Sequence, residues 1–279
     1  MKSISILFQY ILPHRLLSRL MHFLMRIQYK PIKNFTMNKM IKSFNINMDE
    51  AISKNFDDYK HFNAFFTRAL NPNCRTIDPS RDSLVSPVDG VISQMGKINA
   101  DRILQAKGHY YTIKDLLATQ MDSDYINGQF ITIYLSPKDY HRLHAPVDCE
   151  IKHLRHVPGR LFSVADWTTQ TIPRLFARNE RLVNTLQTSF GKMAYVYVGA
   201  IMVSSIETVC NGVITPPYAK QVTDLLPQGQ TTYKKGEEMG RFNMGSTVVL
   251  LFPKDTITFE PELSVGSTLK LGEKIATIH

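Results

Sequence analysis

The sequence has little of what builds disulfide frameworks, membrane spans or strings of domains. Its only cysteines are Cys74, Cys149 and Cys210, an odd number without paired spacing, so neither a disulfide framework nor a zinc ribbon is predicted. No uninterrupted apolar run approaches the roughly 20 residues that span a bilayer, and no secretory signal pattern is present. Low-complexity linkers and array-forming repeats are also missing. We expect one large folded unit, with packed thiols in a reducing compartment.

Acidic residues are missing from residues 1–48, which hold eight lysines and arginines. An apolar stripe recurs there at helical spacing, and a basic stripe lies beside it: Leu16, Leu17, Leu20, Phe23, Leu24 and Ile27 against Arg15, Arg19, His22 and Arg26. This pattern predicts a basic amphipathic helix suited to an anionic membrane surface. The alternative is a helix that packs its apolar stripe on the protein's own core. Nucleic acid is not a favoured partner, because residues 49–279 are nearly neutral.

The rest of the chain predicts an α+β fold, in which an N-terminal amphipathic helical arm (1–48) precedes one β-rich catalytic domain (49–279). A helical segment is expected at Asp57 to Leu70, and short helices near Pro173 to Ala177. Strand patterns dominate from about Val85 onward, at Val91 to Ile98, Gln129 to Leu135, Ala194 to Val203, Thr247 to Phe252 and Thr256 to Phe259.

Gly245-Ser246 enters one of these strands directly. Glycine has no Cβ, so its carbonyl can be approached closely, and the neighbouring serine hydroxyl can attack it if a base takes the proton. Such a bond is a candidate site of self-cleavage. The same tripeptide recurs at Gly266-Ser267-Thr268, where Gly266 and Gly272 indicate turns of a hairpin-rich region. The tripeptide alone therefore does not single out Ser246.

The candidate base lies in the segment Tyr134 to Pro146, which contains His141 and His144 three positions apart. In a turn or short helix this spacing puts both imidazoles on one side. The alternatives are a surface connection or a metal pair, and His153 with His156 repeats the spacing. No adjoining glutamate or cysteine completes a zinc motif, so no metal is predicted. Asp89, in an Asp-Gly turn that leads into a strand, is the candidate orienting carboxylate.

Several segments in the same order resemble the pyruvoyl-dependent phosphatidylserine decarboxylases of bacteria. They include Gln9 to Pro13, Ser86 to Ser93, Ile103 to His109, Tyr134 to His144, Leu175 to Arg181, Ser205 to Val209 and Glu238 to Phe242. The family usually has leucine before the Gly-Ser bond, where this chain has Met244. Because methionine roughly conserves volume and apolarity, we expect little effect on cleavage.

The resemblance implies a self-cleaving triad of Asp89, His144 and Ser246, with His141 serving decarboxylation. Cleavage would give chains 1–245 (beta) and 246–279 (alpha), which stay associated, and would turn Ser246 into a covalent pyruvoyl group. This group would form a Schiff base with phosphatidylserine, and the product would be phosphatidylethanolamine. The enzyme would act in phospholipid biosynthesis, peripherally on the cytoplasmic side of the cell membrane; a homodimer is left open.

Two other functions remain at this point. A pyruvoyl decarboxylase of a soluble amino acid would share the self-cleavage but have no use for the basic arm. A non-enzymatic carrier is the second alternative, because Pro87 to Val91 and Val265 to Ala276 resemble lipoyl-type hairpins. A carrier of this kind would not cleave itself and would remain a single chain.

Overall fold

The computed structural model describes residues 2–119, 123–201, 205–243 and 246–279, without the side chains of residues 2–5, 8, 123 and 246. Its α-helices are α1 (Lys2–Ile11), α2 (His14–Leu24), α3 (Lys30–Phe44), α4 (Phe62–Phe66), α5 (Ile113–Leu117), α6 (Asp166–Thr169) and α7 (Leu175–Arg178). The helix α7 confirms the one expected near Pro173 to Ala177. Of the helices described in these ranges, none has the length and apolarity needed to cross a bilayer.

The strands outnumber the helices, which confirms the predicted α+β class. They are β1 (Ser83–Val85), β2 (Gly90–Lys97), β3 (Arg102–Ala106), β4 (His109–Thr112), β5 (Gln129–Leu135), β6 (Arg142–His144), β7 (Cys149–Val157), β8 (Arg181–Thr188), β9 (Gly191–Val198), β10 (Ile206–Thr208), β11 (Gly212–Val213), β12 (Thr223–Leu225), β13 (Thr232–Tyr233), β14 (Glu238–Phe242), β15 (Ser246–Phe252), β16 (Ile257–Phe259), β17 (Thr268–Leu269) and β18 (Lys274–Ile278).

The largest sheet runs in the order β12-β7-β8-β9-β15-β5-β2-β17, with β13 also paired to β7. A smaller sheet has the order β11-β10-β14-β6, and β1-β18-β16 and β3-β4 form two more. The pairs between these strands are antiparallel. The strands of the largest sheet contribute most of one large apolar core.

The strand β15 lies in the middle of the largest sheet, between β5 and β9. Val249, for example, is paired with Thr132 on one side and Val196 on the other. Residues from Thr247 to Phe252 are fully buried, as a short, nearly unbroken apolar run predicts. The ladders on both sides would hold this strand in place even if the chain were cut ahead of it.

The arm leaves part of its apolar stripe uncovered. Leu16, Leu20 and Phe23 of α2 are 65%, 51% and 68% exposed, whereas His14 and Ser18 are buried. The alternative in which the stripe packs on the protein's own core is therefore wrong for these residues. The following helix α3 does pack inward, where Met37 and Met40 form a second apolar cluster with Phe62, Phe65 and Phe66 of α4.

Two predicted elements differ from the observed ones. The segment Asp57 to Leu70 contains only a 3-10 turn at Phe56–Asp58 and the short α4. The side chain of Asn55 accepts a hydrogen bond from the Asp57 N–H, and that of His61 accepts one from the Ala64 N–H. Such local caps start separate turns rather than one helix. The strand expected at Ala194 to Val203 ends at Val198, and its last predicted residues lie outside the described ranges.

Candidate active site

The strands β5 and β15 bring the histidine segment to the start of β15. Ser246 is paired with Leu135, the last residue of β5, and the chain then continues through a turn to His141 and His144. Phe242 N–H donates to the carbonyl of His141 at 3.0 Å. The segments on both sides of the candidate bond therefore lie beside the histidine segment. Gly245 and the Ser246 side chain themselves lie outside the described residues.

The His144 imidazole is buried and has a defined tautomer. Its Nδ1 lies 2.8 Å from the carbonyl oxygen of Gly236, and because that oxygen can only accept, Nδ1 carries the proton. Nε2 is then an acceptor, and the Tyr140 hydroxyl donates to it at 3.1 Å. Burial lowers the pKa of His144 below its ordinary value. The ring is therefore a neutral base near pH 7.

Tyr140 is the partner of that base, and burial raises its pKa well above the ordinary value. The phenol therefore stays protonated and acts as a donor. The sequence reasoning missed Tyr140, although it lies inside the histidine segment. Its spacing of four from His144 was the signal that could have found it.

The His141 imidazole is fully buried, and its ring centre lies 4.1 Å from that of Phe66. Its Nδ1 donates to the carbonyl of Asp139 at 2.7 Å. Within the described ranges its buried Nε2 has no hydrogen-bond partner. Burial lowers the pKa of His141 to about 3, so this ring is also neutral, with a bare acceptor nitrogen.

The turn or short helix expected for the histidine pair is wrong at His144, which lies in β6. A turn does form just before, where Asp139 accepts hydrogen bonds from the backbone and hydroxyl of Ser136 at 2.7 Å. Pairing of β6 with β14, which places His144 opposite Glu238, then extends the chain. Partners distant in sequence decided this conformation, and local spacing could not show them.

Asp89 lies at the predicted turn just before β2 and is 2% exposed. Its oxygens accept hydrogen bonds from Arg75 Nε at 3.0 Å, Lys270 Nζ at 3.3 Å and the Leu271 N–H at 2.8 Å. Burial alone would raise the pKa of Asp89, but Arg75 and the Leu271 N–H hold it below the ordinary value. The carboxylate is therefore ionised.

Asp89 and His144 lie in one region without touching. Among the described residues no hydrogen bond joins them, and the carbonyl of Gly236 orients the imidazole instead. The negative charge of Asp89 still acts on both histidines, since it favours their protonated forms. The sequence reasoning missed Arg75 and Lys270, because neither stands in a motif.

A cavity of about 260 Å³ borders Asp89 and Tyr140. Arg68 and Lys138 also line it, and the Arg68 side chain donates to the Lys138 carbonyl at 3.2 Å. Arg68 is 5% exposed, and its Nε and Nη1 have no hydrogen-bond partner in the described part of the chain. A buried guanidinium with free donors suits an anionic group of a substrate.

Asn243, two residues before Gly245, is held by side-chain hydrogen bonds. Asn243 accepts a hydrogen bond from Asn63 of α4 at 2.7 Å and donates to the Ser205 hydroxyl and to Glu207, the latter at 3.4 Å. Its backbone N–H donates to the carbonyl of Ser205 at 3.0 Å. The chain therefore enters the Met244-Gly245 segment from a fixed position.

The second Gly-Ser-Thr tripeptide is a turn, as predicted. Gly266 has a φ of 94°, which glycine adopts most readily. The hydroxyl of Ser267 accepts from the Ser264 N–H at 3.1 Å, and β17 starts at Thr268. This serine is part of a local turn next to a short strand at the sheet edge.

The second histidine pair lies on β7. His156 Nε2 lies 2.9 Å from Glu180 in the interior, and His153 Nε2 lies 3.2 Å from Asp224 near the surface. The two side chains thus have separate structural partners. In the described ranges, no three His, Cys, Asp or Glu side chains are grouped as metal ligands.

Comparison with known proteins shows the family of this chain. A family model described as phosphatidylserine decarboxylase matches residues 62–277, and a second, described as PSD, matches residues 4–45. A protein of Nitrosococcus oceani named phosphatidylserine decarboxylase proenzyme is 47% identical over 276 residues, which cover 98% of this chain and 90% of that protein. Proteins of the same name from Saccharophagus degradans and Actinobacillus pleuropneumoniae are 44% and 42% identical, each over 99% of this chain and 98% and 96% of their own lengths. The chain therefore belongs to the phosphatidylserine decarboxylase family and is a decarboxylase made as a proenzyme.

Proposed function

We propose that this protein decarboxylates phosphatidylserine to phosphatidylethanolamine after cutting its own chain between Gly245 and Ser246. The observation that carries the proposal is the position of Ser246, at the start of a central strand and beside a segment with two buried, neutral histidines. Both the cleavage and the decarboxylation require proton transfers. Neutral imidazoles can accept protons near pH 7.

His144 is the base for the cleavage. Its Nε2 takes the proton of the Ser246 hydroxyl, which replaces Tyr140 at that nitrogen, while the Ser246 oxygen attacks the Gly245 carbonyl carbon. The proton passes to the Ser246 nitrogen as the peptide C–N bond breaks, which leaves an ester. Asp89 acts on this step through its charge, which favours the protonated imidazole.

The ester then breaks by elimination. Residue 246 loses its α-proton, and the bond between its Cβ and the ester oxygen breaks, so that Gly245 leaves as a carboxylate. Water replaces the nitrogen, which departs as ammonia, and residue 246 becomes a pyruvoyl group. Overall one water is consumed for each chain that is cut.

The residues near the start of β15 suit such a group. The buried Nε2 of His141 has no partner among the described atoms, and Arg68 brings donors without partners into the same region. When present, the pyruvoyl ketone supplies an electrophile that combines with the substrate amine and withdraws the electron pair left by the departing carboxylate.

His141 is the proton carrier of the decarboxylation. Burial lowers its pKa to about 3, so the ring is neutral at pH 7. Its Nε2, which has no partner among the described atoms, takes the proton that the substrate ammonium must lose before the nitrogen reacts. The same nitrogen then delivers a proton to the carbon that has lost carbon dioxide. The hydrogen bond from Nδ1 to Asp139 keeps Nε2 as the exchanging atom.

The arm places this chemistry at a lipid surface. Leu16, Leu20 and Phe23 are exposed on α2, and the basic residues of the arm add attraction to anionic headgroups. We place the protein peripherally on the cytoplasmic side of the cell membrane. Chains 1–245 and 246–279 remain associated through the two ladders of β15.

Intact mass of the purified protein tests the cleavage. We expect two chains, the smaller beginning at residue 246 and lighter than the unmodified peptide by the change from serine to pyruvoyl. One full-length chain with full activity would refute the proposal.

The His141→Gln variant tests the division of roles between the histidines. It should still be cut, because His144 is intact, but should release carbon dioxide from phosphatidylserine at least about a hundredfold more slowly. The matched His144→Gln variant should remain uncut. An uncut His141→Gln protein would contradict the assignment, and release of carbon dioxide from free serine at the rate seen with vesicles would favour a soluble substrate.

A further inference from the structure

A groove lies where the arm meets the β-rich body, apart from the cavity at Asp89. Its volume is about 570 Å³, and Arg15 of α2 faces Gly159, Arg160 and Arg178 of the body across it. Of the described residues that line it, none borders the cavity at Asp89 and none has a carboxylate.

The three arginines are held in place without a counter-charge. Arg160 donates to the carbonyl of Tyr10 at 2.6 Å, Arg178 to the Tyr10 hydroxyl at 3.0 Å, and Arg15 to the Gly159 carbonyl at 3.5 Å. In the described part of the chain, none of the three forms an ion pair. Guanidinium groups fixed by neutral partners keep their charge available for an anion.

Aromatic rings fix two of these guanidinium groups further. The Arg178 guanidinium lies 4.9 Å from the ring centre of Phe162 and 5.3 Å from that of Tyr10. Arg160 lies 5.7 Å from the Phe162 ring centre. Because stacked arginines lose little further freedom on binding, the groove is prepared for a ligand.

His14 adds a second, independent sign of a ligand. It is 4% exposed, and its Nδ1 accepts from the Leu161 N–H at 3.4 Å, so Nε2 carries the proton. In the described ranges this buried Nε2–H has no acceptor. His14 also begins the 11-residue helix α2, whose N-terminus has no side-chain cap. A donor without an acceptor and a positive helix end both favour an anion.

We propose that Arg15, Arg160 and Arg178 bind the phosphate of an anionic phospholipid that is not the substrate undergoing reaction. Exposed apolar side chains lie on both sides of Arg15 in sequence, Ile11 before it and Leu16 after it, and Leu16 also lines the groove. Apolar groups beside a phosphate site suit a lipid, which carries acyl chains, better than a soluble phosphate. The bound headgroup would join the arm to the body and so fix the orientation of the body on the membrane.

Charge-preserving variants separate this site from general attraction to a negative surface. The Arg160→Lys/Arg178→Lys protein keeps its net charge but loses the planar, two-pronged donors. We expect its affinity for vesicles of phosphatidylcholine and phosphatidylglycerol to fall about tenfold, or about 1.4 kcal/mol. The control Lys192→Arg/Lys254→Arg, on exposed lysines of the body, should bind as the parent does. Equal binding by all three proteins would overturn the proposal.

Two further measurements keep the test decisive. If the double variant melts earlier than the parent, Arg15→Lys replaces it. Arg15 is exposed, and within the described ranges its side chain makes one long hydrogen bond. The second measurement is the melting temperature in inorganic phosphate. If phosphate raises it for the parent but not for the variant, and both proteins bind vesicles equally, the groove binds a soluble anion and the lipid site is overturned. The proposal rests on the proposed membrane contact by the arm. The activity of the variants on phosphatidylserine in detergent micelles should equal that of the parent, and this assay tests the proposed reaction separately.

Discussion

Replacing Asp89 by asparagine should reduce both stability and self-cleavage. The substitution keeps the shape and an oxygen for the Leu271 N–H but removes the charge that faces Arg75 and Lys270. Arg75 is 9% exposed, and removal of one partner of a buried ion pair costs about 3–5 kcal/mol. Since Arg75 keeps its second partner, Glu50, we expect a loss near the lower end, about 3 kcal/mol.

Urea unfolding of uncut protein measures this loss. Both Asp89→Asn and its control, Glu50→Gln, are placed in a Ser246→Ala background, so that cleavage does not alter the unfolding reaction. Glu50 pairs with the same guanidinium but is 30% exposed, so its removal should cost about 1 kcal/mol or less. Equal losses for the two variants would refute the reasoning that the buried charge of Asp89 holds Arg75.

The cleavage rate is measured separately, with Ser246 present, by the appearance of the two chains on a denaturing gel. Asp89→Asn should slow cleavage by at least about tenfold, because the imidazolium of His144 loses a favourable charge. Glu50→Gln should leave the rate unchanged. Cleavage of Asp89→Asn at the parent rate would remove Asp89 from the cleavage machinery.

Three other outcomes follow from the site. Burial lowers the pKa of His141 in the folded protein to about 3, so on acidification the unfolded chain binds a proton at this residue before the folded protein does. The free energy of unfolding therefore keeps its full value above about pH 6.5 and decreases at lower pH, by up to about 1.4 kcal/mol per pH unit. Urea unfolding between pH 7 and pH 5 should show that the free energy of unfolding depends less steeply on pH in His141→Phe than in the parent. An equal dependence on pH would contradict this reasoning. Tyr140→Phe should cut itself at least as fast as the parent, because its hydroxyl occupies Nε2 of His144; a tenfold slower rate would indicate that Tyr140 relays the proton. Asn243→Ala should slow cleavage about tenfold, because its side-chain contacts are lost. The control Asn211→Ala, which removes a surface hydrogen bond, should be cut at the parent rate. Equal cleavage rates for the two variants would show that Asn243 does not position the bond.

Three local patterns predicted the observed structure correctly. The apolar run after Ser246 predicted β15, because a buried central strand needs apolar groups on both faces. The Asp-Gly pair predicted the turn before β2, since it requires only local backbone chemistry. The spacing on α2 predicted the helix, and the exposure of Leu16, Leu20 and Phe23 excludes packing of these side chains on the protein's own core.

The partners of the site residues could not be predicted in the same way. Arg75 and Lys270 approach Asp89 from far along the chain, and a single sequence contains no signal for such pairs. The Gly236 carbonyl that orients His144 is a backbone atom, so residue identity carries little information about it. The segment from Asp57 to Leu70 was read as helical from its aromatic spacing, but two side-chain caps divided it.

The central position of β15 limits the working life of each molecule under the proposed mechanism. The reactive group is the first residue of a strand with neighbours on both sides, so a damaged group could be replaced only by taking the sheet apart. A dissociable coenzyme can be exchanged, whereas this one is used for as long as the polypeptide lasts. Renewal of activity would therefore depend on synthesis of new chains, and the amount of active enzyme would follow the balance between their production and chemical loss of a single ketone.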